Sequence, residues 1–516
     1  MLSDARSVPD GSVFRADVAV VGGGPAGIAL ALALRAHGVS VLLLESGGFE
    51  PDEATTSLNE GTVVGDELIF TGVPSDLTTV RQRGLGGTGN IWGSVCRPLE
   101  PIDFEPRPDL DLPGWPFGLA ELDPYYARSA PICNVLDEWD ADLWLRAVDD
   151  TVDLRAERLD LAIFQMALPR KVFGRDHREQ LMRDASVEVC LWANVVRCNV
   201  EPASDVITSV DVATTTGKRH RAEARCFVLA TGGIEVPRLL LASNDVRPAG
   251  IGNDNDLVGR FFMDHIVYSG GRVLLNARAS STKLYSELRV CQAPPEVHAS
   301  EEGARHAIVL ASLVPPAEVR RSERLRGCAA LLIGPPDFDG RALAAKDAVR
   351  ARDIADIAGF PRRRHAVHPM LVEAEVRPDP QNRVVLSSER DSLGVPKVEL
   401  RYRPSADDRD NLRRGLELLA AELGRTGAGR MQIERNGVDL EHAQLWGSAH
   451  HMGTTRMHVD PNRGVVDANG RVHATANLFV ASSAVFPSVG FANPTFTIVA
   501  LALRLADHLA ERMRLK

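Results

Sequence analysis

Positive charge is scarce in this 516-residue sequence, where 59 Lys and Arg face 69 Asp and Glu for a formal net charge of −10. That balance excludes nucleic acid and an anionic membrane surface as partners, because both require clustered cations, and it suits a neutral or cationic small molecule. Apolar runs of membrane-spanning length are missing. Met1 to Gly11 holds acidic residues and no apolar stretch, so no secretory signal is expected. The cysteines Cys96, Cys133, Cys190, Cys198, Cys226, Cys291 and Cys328 include no Cys-x-x-Cys pair. This speaks against a disulfide framework or a zinc site and for a reduced, cytoplasmic protein. Internal repeats and low-complexity tracts are also lacking.

What is present fits a chain of two or three domains, since 516 residues exceed what one core can organise. The β-branched run Asp17 to Val21 leads through glycines into a helical pattern from Pro25 to His37, which Gly38 stops. Val39 to Leu44 is continuously apolar, as a strand buried on both faces of a parallel sheet should be, and it ends at Glu45. Gly22-Gly23-Gly24-Pro25-Ala26-Gly27 fits the G-x-G-x-x-G dinucleotide fingerprint in the required strand-to-helix context. Gly22 permits the tight turn, Gly24 opens a path for a pyrophosphate to the helix start, and Gly27 allows close packing. Glu45 is placed to accept from ribose hydroxyls. Gly84 to Gly89 repeats the pattern, but no strand precedes it and the Pro-rich segment after it cannot be helical. A second nucleotide site is therefore not expected.

Cys226 to Thr231, closing on Gly232-Gly233, reads as a further strand of the same parallel sheet. The middle of the chain changes to alternating strands, Ile308 to Val314, Met370 to Val376 and Arg383 to Leu386, between Pro-rich turns. The expectation is an α/β protein: a Rossmann-type nucleotide domain from 1–135, 190–265 and 441–516, and an α+β substrate domain on a largely antiparallel sheet from 266–440. Residues 136–189 would connect the two or form a lid. The run Arg362-Arg363-Arg364 is read as a solvated face, and the acid-rich stretch from Asp137 to Asp160 as surface that biases an entrance toward cations.

Near the C-terminus stand Gly447-Ser448-Ala449-His450-His451-Met452-Gly453-Thr454-Thr455-Arg456-Met457, Asn477 to Ser483, and Phe491-Ala492-Asn493-Pro494-Thr495-Phe496-Thr497. With the N-terminal fingerprint, the Gly86-Gly87-Thr88-Gly89-Asn90 loop and Pro378 to Val384, these segments resemble the glucose-methanol-choline (GMC) oxidoreductases. The resemblance implies FAD on the Rossmann unit and oxidation of an alcohol. It makes His450, three positions before Gly453-Thr454, the catalytic base, with Asn493 as its partner. It places Gly86, Gly87, Thr88 and Asn90 along the flavin ring and Ser483 near the ribityl-pyrophosphate chain. Cofactor contacts are further expected from Ser46, Val195, Thr231, Gly232, Pro494 and Thr495. Some members attach the flavin through a histidine before the tryptophan of that loop; here Ile91 precedes Trp92, which implies non-covalent FAD. Within the family the motifs look most like the bacterial branch acting on sugars, glycosides and aminoglycoside precursors.

Elementary chemistry agrees with these roles. Passing hydride from an alcohol carbon to flavin N5 requires removal of the hydroxyl proton, and an imidazole with pKa about 6.5 suits that near neutral pH. Neighbours in an extended chain point to opposite sides, so only one of His450 and His451 is expected to face the flavin. Asn493-Pro494 also fits a helix start, whose positive end would favour charge on the reduced ring. The weighed alternatives are an NADPH-fed monooxygenase or reductase, which the missing second fingerprint disfavours, and a non-enzymatic FAD-binding protein. The expected substrate is a small-molecule alcohol, in its finest reading a cationic amino sugar, with dioxygen or another molecule as electron acceptor.

Overall fold

The computed structural model describes residues 1–65, 69–70, 73–148, 150–183, 185–278, 282–286, 289–292, 306–333, 365–433 and 445–514. Arg362, Arg363 and Arg364 lie outside them. The glycine turn sits at the edge of a parallel sheet whose central strand is Val13–Val21. Val18 to Val21 pair with Val41–Leu44 on one side and with Cys226 to Leu229 on the other. Val187–Leu191 and Leu478–Val480 extend the sheet, again in parallel. These apolar stretches are buried on both faces, as a parallel sheet layered between helices requires. One covering layer is the helix Pro25–Ala36 packed on Pro494–Arg514. Because the strands share a direction, Gly22, Glu45, Ala230 and Ala481 all follow strand ends at one edge, the place where such sheets bind ligands.

A second, mostly antiparallel sheet is built around Ile266–Arg278 and His365–Ala374. Its register sets Ile266 opposite Ala374 on one neighbour and opposite Gly447 on the other. Three segments distant in sequence are thereby brought to one end of the sheet. Asp160–Ala167 also belongs here, pairing with His306–Val314.

Two stretches join partners that their own patterns do not reveal. Arg383–Arg390 and Pro396–Tyr402, read as part of the substrate domain, form a third small sheet with Gly61–Gly65 and pack on the helix Gly232–Ala242. Residues 136–189, read as connector or lid, contain Asp160–Ala167 of the second sheet and run into Val187–Leu191 of the first. Alternation along a strand records that one face is covered, not which sheet covers it.

No helix among the described residues is long and apolar enough to cross a membrane. The acid-rich segment carries a short helix, Ala141–Ala147, capped by Asp140, with Asp137, Asp140 and Glu157 exposed. Trp115, read as a packing element, is buried against Phe104, Phe117 and Phe486.

Candidate active site

A cavity of about 300 Å³ opens at the strand ends of the parallel sheet. The turn that forms its floor depends on glycine geometry. Gly22 has φ +104, and a Cβ there would stand 2.7 Å from the Ala230 carbonyl oxygen. A Cβ on Gly27 would strike the Gly22 carbonyl oxygen at 1.9 Å, so Gly27 shapes the turn without lining the cavity. Gly24 differs, because a Cβ there would meet no protein atom within 4 Å and the residue lines the cavity. Glu45 is buried and its carboxylate binds the loops together. Oε2 accepts the Gly23 amide at 2.7 Å, while Oε1 accepts the amides of Gly47 at 3.0 Å and Gly84 at 2.9 Å and the Ser46 hydroxyl at 3.0 Å. Oε2 keeps acceptor capacity for a ribose hydroxyl.

Pro25, Ala26, Ser46, Gly87, Thr88, Ile91, Trp92 and Val195 also line the cavity. Gly86 and Asn90 do not, and their work is local. Gly86, at φ +102, lies against the Asn90 side chain, which donates to Leu85 O and accepts from the Gly174 amide, fixing the loop. Three helices begin at the cavity wall among the described residues: Pro25–Ala36 at Gly24, Gly232–Ala242 at Thr231, and Pro494–Arg514 at Asn493. Their unpaired amides and positive ends favour an anion. Ser483 and Thr495 complete this side, with the Ser483 hydroxyl donating to His451 O at 2.6 Å.

Opposite the dinucleotide turn stands a cluster of imidazoles and carboxylates. His450 Nε2 is 3.3 Å from Asn493 Nδ2, and both residues line the cavity. On the far side of the same ring, Nδ1 lies 2.9 Å from Nδ1 of His265 and 3.4 Å from Oε1 of Glu373. His265 is fully buried; its Nε2–H donates to Gly490 O at 3.0 Å, and its Nδ1 is 3.3 Å from Glu373. The Ser448 hydroxyl donates to the same Glu373 oxygen at 3.0 Å. The loop carrying His450 is pinned by Asp264, whose carboxylate accepts the amides of Ser448, Ala449 and His450. Burial raises the Asp264 carboxyl above its ordinary range, against the pull of His450. Burial also opposes charge on His265 and Glu373, yet their mutual attraction outweighs it, raising the imidazole and holding the carboxyl well below the usual range.

His451 lines the cavity too, so both neighbouring histidines face it. The expectation of opposite sides assumed an extended chain, and the segment entering the pair is not extended, since Ala449 has φ +55. His451 packs beside Phe262, and burial lowers it to about 3. Arg81, Gln82, Arg83 and Glu235 form the neighbouring wall. Glu235 pairs with Arg81, Arg83 and Arg238; against its burial, Arg238, Arg83 and Arg81 hold its carboxyl down to about 2.

Residues 378–502 match the profile of the GMC oxidoreductase family, and residues 15–54 match that of an FAD-binding domain. Paromamine 6'-oxidase of Streptomyces fradiae is 28% identical over 96% of this chain and 91% of its own length. A GMC oxidoreductase domain thus spans residues 378–502, behind an FAD-binding segment at 15–54. The fructose dehydrogenase large subunit of Gluconobacter japonicus is 30% identical over 60% of this chain, which spans about half (52%) of that subunit's length. Pyridoxine 4-oxidase from Mesorbium loti superposes with a TM-score of 0.60 over 96% of this chain and 99% of its own; at 19% identity the likeness is one of fold.

The cavity fits FAD on its own terms. Gln82 Oε1, Thr231 Oγ1 and His451 Nε2 are buried without a protein partner, and all three residues line the cavity, so a polar cofactor can satisfy them. Gly24 leaves room where a pyrophosphate would approach the helix start. Ile91, half exposed at the wall, offers no nucleophile for covalent attachment. The sequence reading missed Asp264, His265, Glu373 and the Arg81–Glu235 wall. A signal for Glu373 exists: with Glu375 it puts acids at alternate positions of an otherwise apolar strand, hence on one face.

Proposed function

We propose that this GMC oxidoreductase oxidises a hydroxyl-bearing carbon of a sugar-like molecule to a carbonyl, with His450 as base and Asn493 holding the hydroxyl oxygen. The observation carrying this reading is the placement of His450 Nε2 and Asn493 Nδ2, 3.3 Å apart, on the wall that the dinucleotide turn also lines. FAD, when bound, supplies the two-electron acceptor for the hydride leaving the substrate carbon. Gly24, Glu45, Thr231 and Ser483 would hold it. His450 is a fixed base because its backbone is tied to Asp264 and its Nδ1 edge is occupied, which leaves Nε2 toward the cavity. The Asn493 amide can donate to an oxygen gaining negative charge, and the start of Pro494–Arg514 adds a positive end there.

The relative matched over 91% of its length is named for paromamine, which supports an amino-sugar hydroxyl as the preferred target. The two wall carboxylates Glu45 and Glu235 are already paired, so attraction of a cation acts through the net charge of −10 and the exposed acids near 137–160.

Anaerobic mixing with sugars, amino sugars, aliphatic alcohols and aryl alcohols tests this, read by bleaching of the flavin. Amino sugars should bleach it fastest, with kcat/KM falling as salt rises, and His450→Ala should slow bleaching by about 10²–10⁴-fold. Reoxidation under air, compared with an added dye, separates dioxygen from another acceptor. Bleaching by NADPH alone, or by aliphatic alcohols alone, overturns the reading.

A further inference from the structure

The contact between His265 and His450 is unusual in joining two like nitrogens. Two Nδ1 atoms at 2.9 Å leave no room for a bridging water, and their ring planes stand 89° apart with an edge directed at a partner. Two protonated nitrogens would repel at that distance, as would two bare lone pairs, so one proton lies between them. The far nitrogen of His265 is not free to vary. Its Nε2 is 3.0 Å from the Gly490 carbonyl oxygen, which only accepts, so Nε2 carries hydrogen.

Two arrangements remain for the shared proton. On His450 Nδ1, it leaves His450 Nε2 bare toward Asn493 and the cavity, as a base must be, and His265 is neutral. On His265 Nδ1, it makes His265 an imidazolium 3.3 Å from the Glu373 carboxylate, and a neutral His450 then carries its hydrogen on Nε2. The first arrangement is ready to take a proton at Nε2, and the second is what remains afterwards.

We propose that His265 and Glu373 receive the charge of the catalytic proton: as His450 Nε2 takes the substrate hydroxyl proton, the proton on His450 Nδ1 passes to Nδ1 of His265. One O–H bond breaks and one N–H forms at Nε2; one N–H breaks at His450 and one forms at His265. The two electrons leave the substrate carbon as hydride, for which bound FAD would be the acceptor. His450 ends neutral, and the positive charge rests on a buried imidazolium between Glu373 and Gly490 O, away from the reacting atoms. This rests on the reading of His450 as base. His265 and Glu373 are positioning residues, acting through His450.

The surroundings are consistent with that destination. Glu373 faces the pair from the second sheet and is held by Ser448, Asp264 faces His450 through its backbone, and His451, lowered by burial, adds no second cation. His265 is raised above the ordinary imidazole range, as a proton acceptor in this role must be.

Proton NMR of the holoprotein tests the shared proton without turnover. A far-downfield, slowly exchanging imidazole resonance is expected, lost in His265→Gln and kept in His451→Gln; its absence from the wild type, or its survival in His265→Gln, overturns the proposal. The pH profile of flavin reduction tests the counter-ion. Only the arrangement with neutral His265 reacts, so the rate should rise with pH through the transition of His265, which lies above the ordinary imidazole range. Removing the carboxylate destabilises the cation, so in Glu373→Gln that limb should move to lower pH by about one unit while the plateau falls at least about tenfold. Glu373→Asp should restore much of both. A lower plateau with an unmoved limb would reduce Glu373 to a structural part and refute the proposal. If His450→Ala reduces the flavin at the wild-type rate, the base reading fails instead, and the resonance still reports on the pair.

Discussion

Glu45 and Gly84 are 39 residues apart, and the Gly84 N–H donates to Glu45 Oε1 at 2.9 Å. The acid that ends the second strand therefore ties the glycine loop at 84–89 to the fingerprint turn, because the same carboxylate also accepts from Gly23. The loop that looked like a second fingerprint serves the first one.

Replacing Glu45 should expose this dual role. Glu45→Ala leaves three backbone donors and the Ser46 hydroxyl without their acceptor. Each buried donor left unpaired costs about 1–3 kcal/mol. The urea midpoint of the apoprotein should fall, along with FAD content per chain. Glu45→Gln, which keeps one acceptor oxygen, should fall less. Wild-type values of both quantities in the alanine variant would contradict the assignment.

Two glycines of the fingerprint turn should fail in different ways. Gly27→Ala places a methyl 1.9 Å from the Gly22 carbonyl oxygen, so it should lower the stability of the apoprotein itself. Gly24→Ala meets no protein atom within 4 Å, so the apoprotein should melt as wild type while FAD affinity drops. Calorimetry with and without added FAD separates the two, and equal losses in the apoproteins would refute the distinction.

Acid stability offers a test of His451. Its folded pKa is lowered by burial to about 3, below the unfolded value near 6.5. Above pH 6.5 neither state holds the proton; below it the unfolded chain does and the fold does not. Stability from the neutral ring is thus present above pH 6.5 and lost as pH falls toward 3, by about 2 kcal/mol at pH 5. His451→Gln should lose correspondingly less between pH 7 and pH 5, measured by urea unfolding. Parallel losses in the two proteins would mean that His451 titrates normally.

Flavin attachment gives a simple prediction. With Ile91 at the wall before Trp92, FAD should appear intact in the supernatant after acid precipitation. Colour retained in the washed pellet would show a covalent link formed elsewhere.

Local features were legible in the sequence because they follow from neighbouring residues. Val13–Val21, Pro25–Ala36 and Val41–Leu44 form as their apolar patterns require, and the glycine turn rests on the positive φ of Gly22 and the close approach at Gly27. His450 and Asn493 were legible through motifs. His265 and Glu373 were not, because their meeting depends on register: Ile266 opposite both Ala374 and Gly447 is a long-range choice that no local pattern encodes. The third sheet escaped for the same reason, as Pro396–Tyr402 finds its parallel partner in Gly61–Gly65.

The helix start at Asn493 also bears on redox thermodynamics. A group that gains electron density beside oriented peptide dipoles is stabilised more in its reduced than in its oxidised form. The midpoint potential of the bound flavin should therefore lie above that of flavin in water, making it the stronger oxidant. The Pro494–Arg514 helix, 21 residues long and beginning at the cavity wall, would thus raise the potential of a flavin held there as well as carrying Asn493.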